Sequence, residues 1–111
     1  MLPKIFSFVD IETTGGRVTA DRIIDIGILR VEDGKIVQKF ESLINPETHV
    51  PPFIEELTGI HAMDLEGAPT FSQIKDTILE LLADSVFVAH NVRFDYGFLK
   101  NEFRRHAYSF N

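Results

Sequence analysis

Lys4-Ile5-Phe6-Ser7-Phe8-Val9-Asp10-Ile11-Glu12-Thr13-Thr14-Gly15-Gly16 is the stretch from which the fold can be read. Lys4–Val9 is an apolar run too short to span a bilayer, and it ends on a carboxylate, as a buried strand does when it reaches a polar edge. Thr13-Thr14-Gly15-Gly16 then reads as a turn or loop. Working outward, Arg22–Val31 is a second strand, with Ile24, Ile26 and Ile28 on one face and Asp25 and Gly27 on the other. Asp33-Gly34 is a two-residue hairpin signal, because both central positions of a type I′ turn need positive φ. Lys35–Ile44 is the antiparallel third strand that this turn predicts, closed by Asn45-Pro46.

The second half changes period. Residues 46–69 are rich in turn formers, with a short helix expected at Phe53–Leu57. A longer helix begins near Thr70, where Ile74, Ile78, Leu81 and Leu82 form a helical stripe, and ends around Ala83-Asp84. Ser85–Ala89 reads as a short buried strand. Asn91 is placed to cap a last helix, Val92–Arg105, with Phe94, Phe98, Leu99 and Phe103 inward. A β-meander followed by alternating helices and strands predicts an α/β sandwich with a mixed sheet.

Composition narrows the class. At 111 residues the chain is one domain at most, and it has no internal repeat or low-complexity tract. Nothing in it resembles a signal peptide or a membrane span, and the absence of cysteine excludes disulfides and thiolate metal sites. A cysteine-free chain fits a reducing compartment, and the cytoplasm is the expected location. The formal charge of −6 argues against a broad basic nucleic-acid surface. It leaves open contact with a single chain end, through cations that bridge carboxylate to phosphate.

Asp10 and Glu12 are two apart at a strand end, so their side chains share one side. Two ionised carboxylates there repel and raise each other's pKa, a conflict that a hard, oxygen-preferring divalent cation removes. Taken alone, a D-x-E pair more often simply opens a polar loop. Asp95 falls in the first turn of the last helix, where a carboxylate also favours the helix dipole. Taken alone it reads more readily as first-turn electrostatics, while its place on the stripe side with Phe94, Phe98 and Leu99 offers the alternative that it faces the sheet. His90 reads as a hydrogen-bonded structural residue rather than a ligand or base. Phe94 is core by period, or a platform for a base. Asp25 and Glu41 read as ordinary strand carboxylates, and Arg104-Arg105-His106 as a helix end matched to its dipole.

Phe8-Val9-Asp10-Ile11-Glu12-Thr13-Thr14-Gly15 and Val88-Ala89-His90-Asn91-Val92-Arg93-Phe94-Asp95 together resemble the first and second motifs of the DnaQ-like 3′→5′ exonucleases of the DEDD superfamily. Ile24-Asp25-Ile26-Gly27, Leu57-Thr58-Gly59-Ile60 and Ala68-Pro69-Thr70-Phe71 fall where that family carries similar stretches. The resemblance covers nearly the whole chain and is similar in overall look to the polymerase III epsilon-type enzymes. It implies an RNase H-like mixed sheet flanked by helices and removal of nucleotides from a single-stranded 3′ end, with DNA favoured over RNA and both left open. It also implies two divalent cations, Mg²⁺ or Mn²⁺, one lowering the pKa of the attacking water and the other stabilising the leaving oxygen. Asp10, Glu12 and Asp95 would be three of four acidic ligands. Ile11, Thr13, Thr14, Leu57, Thr58 and Phe94 would meet the terminal nucleotide. A polymerase or another replication or repair protein is the expected partner, and no membrane.

The family's third motif supplies a fourth acid and, in the histidine branch, a general base. Here residues 96–111 follow Asp95 and contain no aspartate. His106 and Tyr108 lie too near the second motif to be that base, and the tail from His106 to Asn111 resembles the start of a further strand. Residues 1–111 are therefore expected to be the N-terminal part of one exonuclease domain, with the C-terminal part of the fold missing. The competing expectation is a non-catalytic unit that binds metal or a nucleic-acid end.

Overall fold

Strand β1 (Ile5–Thr13) continues well past the apolar run, because its polar second half still alternates. Ser7, Val9, Ile11 and Thr13 are buried, while Phe8, Asp10 and Glu12 face out. In this computed structural model, which describes residues 4–106, β1 pairs antiparallel with β2 (Ile23–Glu32) along its whole length. Asp33 and Gly34 both take positive φ, 51° and 79°, and turn the chain into β3 (Lys35–Leu43), as the Asp-Gly signal requires. β4 (Val86–Val88) lies parallel to β1, giving a mixed sheet of order β3-β2-β1-β4.

Two irregularities reset the register. Between Glu12 and Thr13 the β1/β2 pairing slips by one, leaving Ile24 without a partner. Ile23 then joins the main core, while Ile24 packs with Ile54 and Leu65 in a second, smaller cluster. Ile24 therefore departs from the single stripe with Ile26 and Ile28 expected from period two. A second slip falls between Arg30 and Val31, so that Gly27 sits opposite Glu41 and Leu29 opposite Lys39.

Helix α1 (Pro52–Thr58) starts with Pro in its first turn and ends at Gly59, whose φ of 77° forms a left-handed cap. The five-residue α2 (Ala62–Glu66), which has no clear sequence signal, follows and buries Leu65. α3 (Phe71–Leu82) begins with the backbone N–H of Thr70 donating to the Gln73 side chain at 3.0 Å. α4 (Val92–Arg105) has the expected bounds, but Asn91 caps it without a side-chain hydrogen bond. Phe71, Ile78 and Leu81 of α3, with Phe98, Leu99 and Phe103 of α4, close over Val9, Ile11, Ile26 and Ile28 of the sheet. Each such fully buried side chain contributes ~1.5–3 kcal/mol relative to exposure.

β4 was expected to be buried, yet Val86 is exposed and Phe87 and Val88 are half-buried. It is one of the two outer strands of the described sheet, and a short β-branched run reads the same at an edge as inside. Of the strand expected from His106 to Asn111, His106 instead closes α4, and residues 107–111 lie outside the described residues. Among the described residues, no helix is long and apolar enough to cross a membrane.

Candidate active site

The two faces of the sheet differ in kind. On the face away from α3 and α4, Asp10 and Glu12 project from β1, beside Gly27 and Asp25 of β2 in the adjoining register. Glu41 of β3 follows next to Gly27. Gly27 presents no side chain, so the row between Asp10 and Glu41 stays open. Farther along the same face Phe8, Leu29 and Val88 form an apolar floor, and the hollow above it, about 750 Å³, runs from Lys39 and Glu41 to His90.

Asp95 approaches from α4. It is 7% exposed, which favours the sheet-facing reading over simple first-turn electrostatics. Burial raises its pKa to about 6, helped by the charges of Asp10 and Glu12 and opposed by His90. Burial also raises Glu12, followed by the charges of Asp10 and Asp25. Asp25 is raised by burial and then by Glu41 and Asp10, against a lowering hydrogen bond from the Ile26 backbone. The three expected carboxylates are thus brought within electrostatic reach of one another.

The other expected positions divide. Ile11 points into the core on the opposite face of β1 and offers only its backbone to a ligand. Thr13 is buried and donates to the carbonyl of Gly15 at 2.5 Å. Thr14, also buried, donates to Asp21 at 3.2 Å and accepts from the Arg22 N–H at 2.9 Å. Thr58 bonds to Ile54 and Ile60 within its own helix end, while Leu57 is 76% exposed. Phe94 is half-buried, its ring 4.7 Å from that of Phe98. His90 departs from the expected hydrogen-bonded structural role. It is exposed beyond the end of the outer strand β4, at the rim of the hollow.

Asp25 and Glu41 belong to the acidic row although their sequence context is that of ordinary strand residues. The available signal was the polar parity of Asp25 and Gly27. The slip at Arg30/Val31 hides Glu41, because an unbroken count from the Asp33-Gly34 turn would place Phe40 opposite Gly27.

The donor chemistry suits a hard divalent cation. Asp10, Glu12 and Asp95 offer only carboxylate oxygen, repel one another, and form no ion pair with a lysine or arginine among the described residues. No group of three potential ligands among the described residues is close enough to form a finished cage. Asp10 and Glu12 stand side by side with Asp95 within electrostatic reach, an open arrangement of oxygen donors rather than a formed metal site.

Comparison with known proteins bears on the family and the fold. An exonuclease family model, RNase_T, matches residues 7–110. The 3′-5′ exonuclease DinG of Staphylococcus epidermidis is 42% identical over 100 residues, covering 90% of this chain and 11% of that protein. DinG of Staphylococcus aureus is 41% identical over 99 residues, again with 11% of its length covered. The chain therefore spans about a ninth of the curated relatives it matches. Exonuclease I superposes with a TM-score of 0.84 at 22% identity, over 97% of this chain and 26% of that one, which shows the RNase H-like fold. E. coli exonuclease I has also been solved with a dT13 oligonucleotide, at the same TM-score and identity. Since the family match runs unbroken across both acid-bearing segments, from the β1 carboxylates to Asp95 on α4, the chain belongs to the DnaQ-like 3′→5′ exonuclease family.

Proposed function

We propose that this protein removes nucleotides from the 3′ end of single-stranded DNA, with Asp10, Glu12 and Asp95 forming the metal-binding part of its active site. The carrying observation is the electrostatic coupling of three carboxylates that have no basic partner among the described residues, beside an open hollow. Such crowding costs stability in the absence of a counter-charge, and functional sites are where such a cost is tolerated. A pair of divalent cations, Mg²⁺ or Mn²⁺, is the cofactor that suits this donor set, and it would supply charge neutralisation for the phosphate and acidity for the attacking water.

The chain's own residues would divide the remaining work. Asp10 and Glu12 hold their oxygens on the open face because β1 is anchored by Val9 and Ile11 on the other. The backbone of Ile11, Thr13 and Thr14 would border the terminal nucleotide, and Phe94 and the exposed Leu57, with Thr58 behind it, would meet its base or sugar. The dT13 complex of E. coli exonuclease I, whose fold this chain shares, is the observation that favours DNA as substrate. In this reading the enzyme works in the cytoplasm, in proofreading or repair, beside a polymerase or another replication or repair protein.

A second reading has its own observation: among the described residues, no group of three acidic or histidine side chains is placed to hold a metal ion. On that reading the chain binds metal or a nucleic-acid end without turnover. One time course separates the two, using a 5′-labelled single strand with Mg²⁺, with Mn²⁺ and with chelator. The exonuclease reading expects a metal-dependent ladder that Asp10→Asn slows by about 10²-fold or more, the scale on which loss of one transition-state charge stabiliser acts. Metal binding without a ladder favours the second reading. A ladder that Asp10→Asn leaves at full rate contradicts the assigned site.

A further inference from the structure

Outside the acidic row, one carboxylate is committed to shaping backbone. Asp21 ends the loop that leaves β1, and its side chain is largely buried. One carboxylate oxygen accepts the Arg17 backbone N–H at 2.8 Å, and the other accepts the Thr14 hydroxyl at 3.2 Å. The Asp21 backbone N–H donates to the Arg17 carbonyl at 2.7 Å, so both ends of Asp21 hold the same turn. Gly15 is pressed against this carboxylate: a Cβ at Gly15 would lie 2.6 Å from an Asp21 oxygen, so a side chain there would force the carboxylate to shift.

The loop is also fastened from outside. Asn101 of α4 donates to the Val18 carbonyl at 2.9 Å, and Arg105 donates to the carbonyls of Asp21 at 3.0 Å and Thr19 at 3.3 Å. Arg105 is in turn paired with the buried Glu102. The first turn of α4 carries Asp95. One helix therefore holds an active-site carboxylate at its start and the loop following Glu12 at its end.

We infer that Asp21 is a positioning residue of the nucleotide site, fixing the backbone of Thr13–Arg17 in the shape that meets the terminal nucleotide. This rests on the exonuclease reading, since a nucleotide must be what the loop meets. Charge-assisted hydrogen bonds of this kind hold geometry more firmly than neutral ones, and small displacements at a site carry large losses.

The test measures thymidine 5′-monophosphate binding to the full chain in the presence of Mn²⁺, and Mn²⁺ binding without nucleotide. Asp21→Ala, Asp21→Asn and Gly15→Ala are compared with wild type, each checked for native circular dichroism. Asp21→Ala is expected to weaken nucleotide affinity about tenfold, the equivalent of one charge-assisted hydrogen bond, with Mn²⁺ affinity unchanged. Asp21→Asn, which keeps one acceptor oxygen, is expected to lose less. Gly15→Ala displaces the carboxylate without altering it, so it should weaken nucleotide binding in wild type and have little further effect in the Asp21→Ala background. If Asp21→Ala fails to fold, the other two variants carry the same comparison. Folded variants that bind the monophosphate as tightly as wild type overturn the positioning role and leave the exonuclease reading intact. Wild type that binds Mn²⁺ and no monophosphate overturns both.

Discussion

The two faces of β1 are built from the same nine residues and obey opposite rules. On one, Val9 and Ile11 lie under α3 and α4 in a core whose members are almost completely excluded from water. On the other, Phe8 is 43% exposed, and Asp10 and Glu12 stand beside further carboxylates. The closed face provides stability, and the open face consumes some of it by crowding like charges. The difference teaches where to look for function: on the face whose chemistry no folding argument would choose.

Substitutions on the two faces should separate by size. Phe98→Ala, under the closed face, should cost ~3–5 kcal/mol in urea unfolding, because a fully buried ring leaves a cavity. Ser7→Ala should cost ~1 kcal/mol. That hydroxyl is fully buried, donates to the Leu81 carbonyl at 3.0 Å and lies 2.6 Å from the Ser85 hydroxyl. Asp10→Asn should act in the opposite direction, raising the unfolding free energy at pH 7 by less than about 1 kcal/mol, because it relieves Glu12 and Asp95. Phe8→Ser should change stability by no more than ~0.5 kcal/mol. A Phe8→Ser loss as large as that of Phe98→Ala would break the distinction between the faces.

The sequence carried much of this difference, because period two alone places Asp10 and Glu12 together. The Asp33-Gly34 turn and the apolar stripe of Val92–Arg105 were equally legible, since each depends on local backbone or helical chemistry. What could not be read depends on contacts distant in sequence. The slip at Arg30/Val31 decides whether Glu41 or Phe40 faces Asp10 across Gly27, and no residue there announces it. Arg105 looked like a dipole-matched helix end, yet it reaches carbonyls more than eighty residues earlier. The edge position of β4 and the exposure of His90 likewise follow from topology rather than from composition.

The convergence of Asp10, Glu12 and Asp95 is the central claim, and the carboxyl titration of Asp95 tests it most directly. In the folded chain without metal, Asp95 should titrate near about 6, against an ordinary value of 3.8. Between those values the folded chain holds a proton that the unfolded chain has lost. This group's contribution to stability is therefore fully present below 3.8 and is lost as pH rises from there through about 6. Carbon-detected NMR across this range, on wild type and on Asp10→Asn, gives the answer. The account predicts a raised midpoint in wild type that moves down in Asp10→Asn. An Asp95 that titrates at the ordinary carboxylate value, or one indifferent to Asp10, would contradict it.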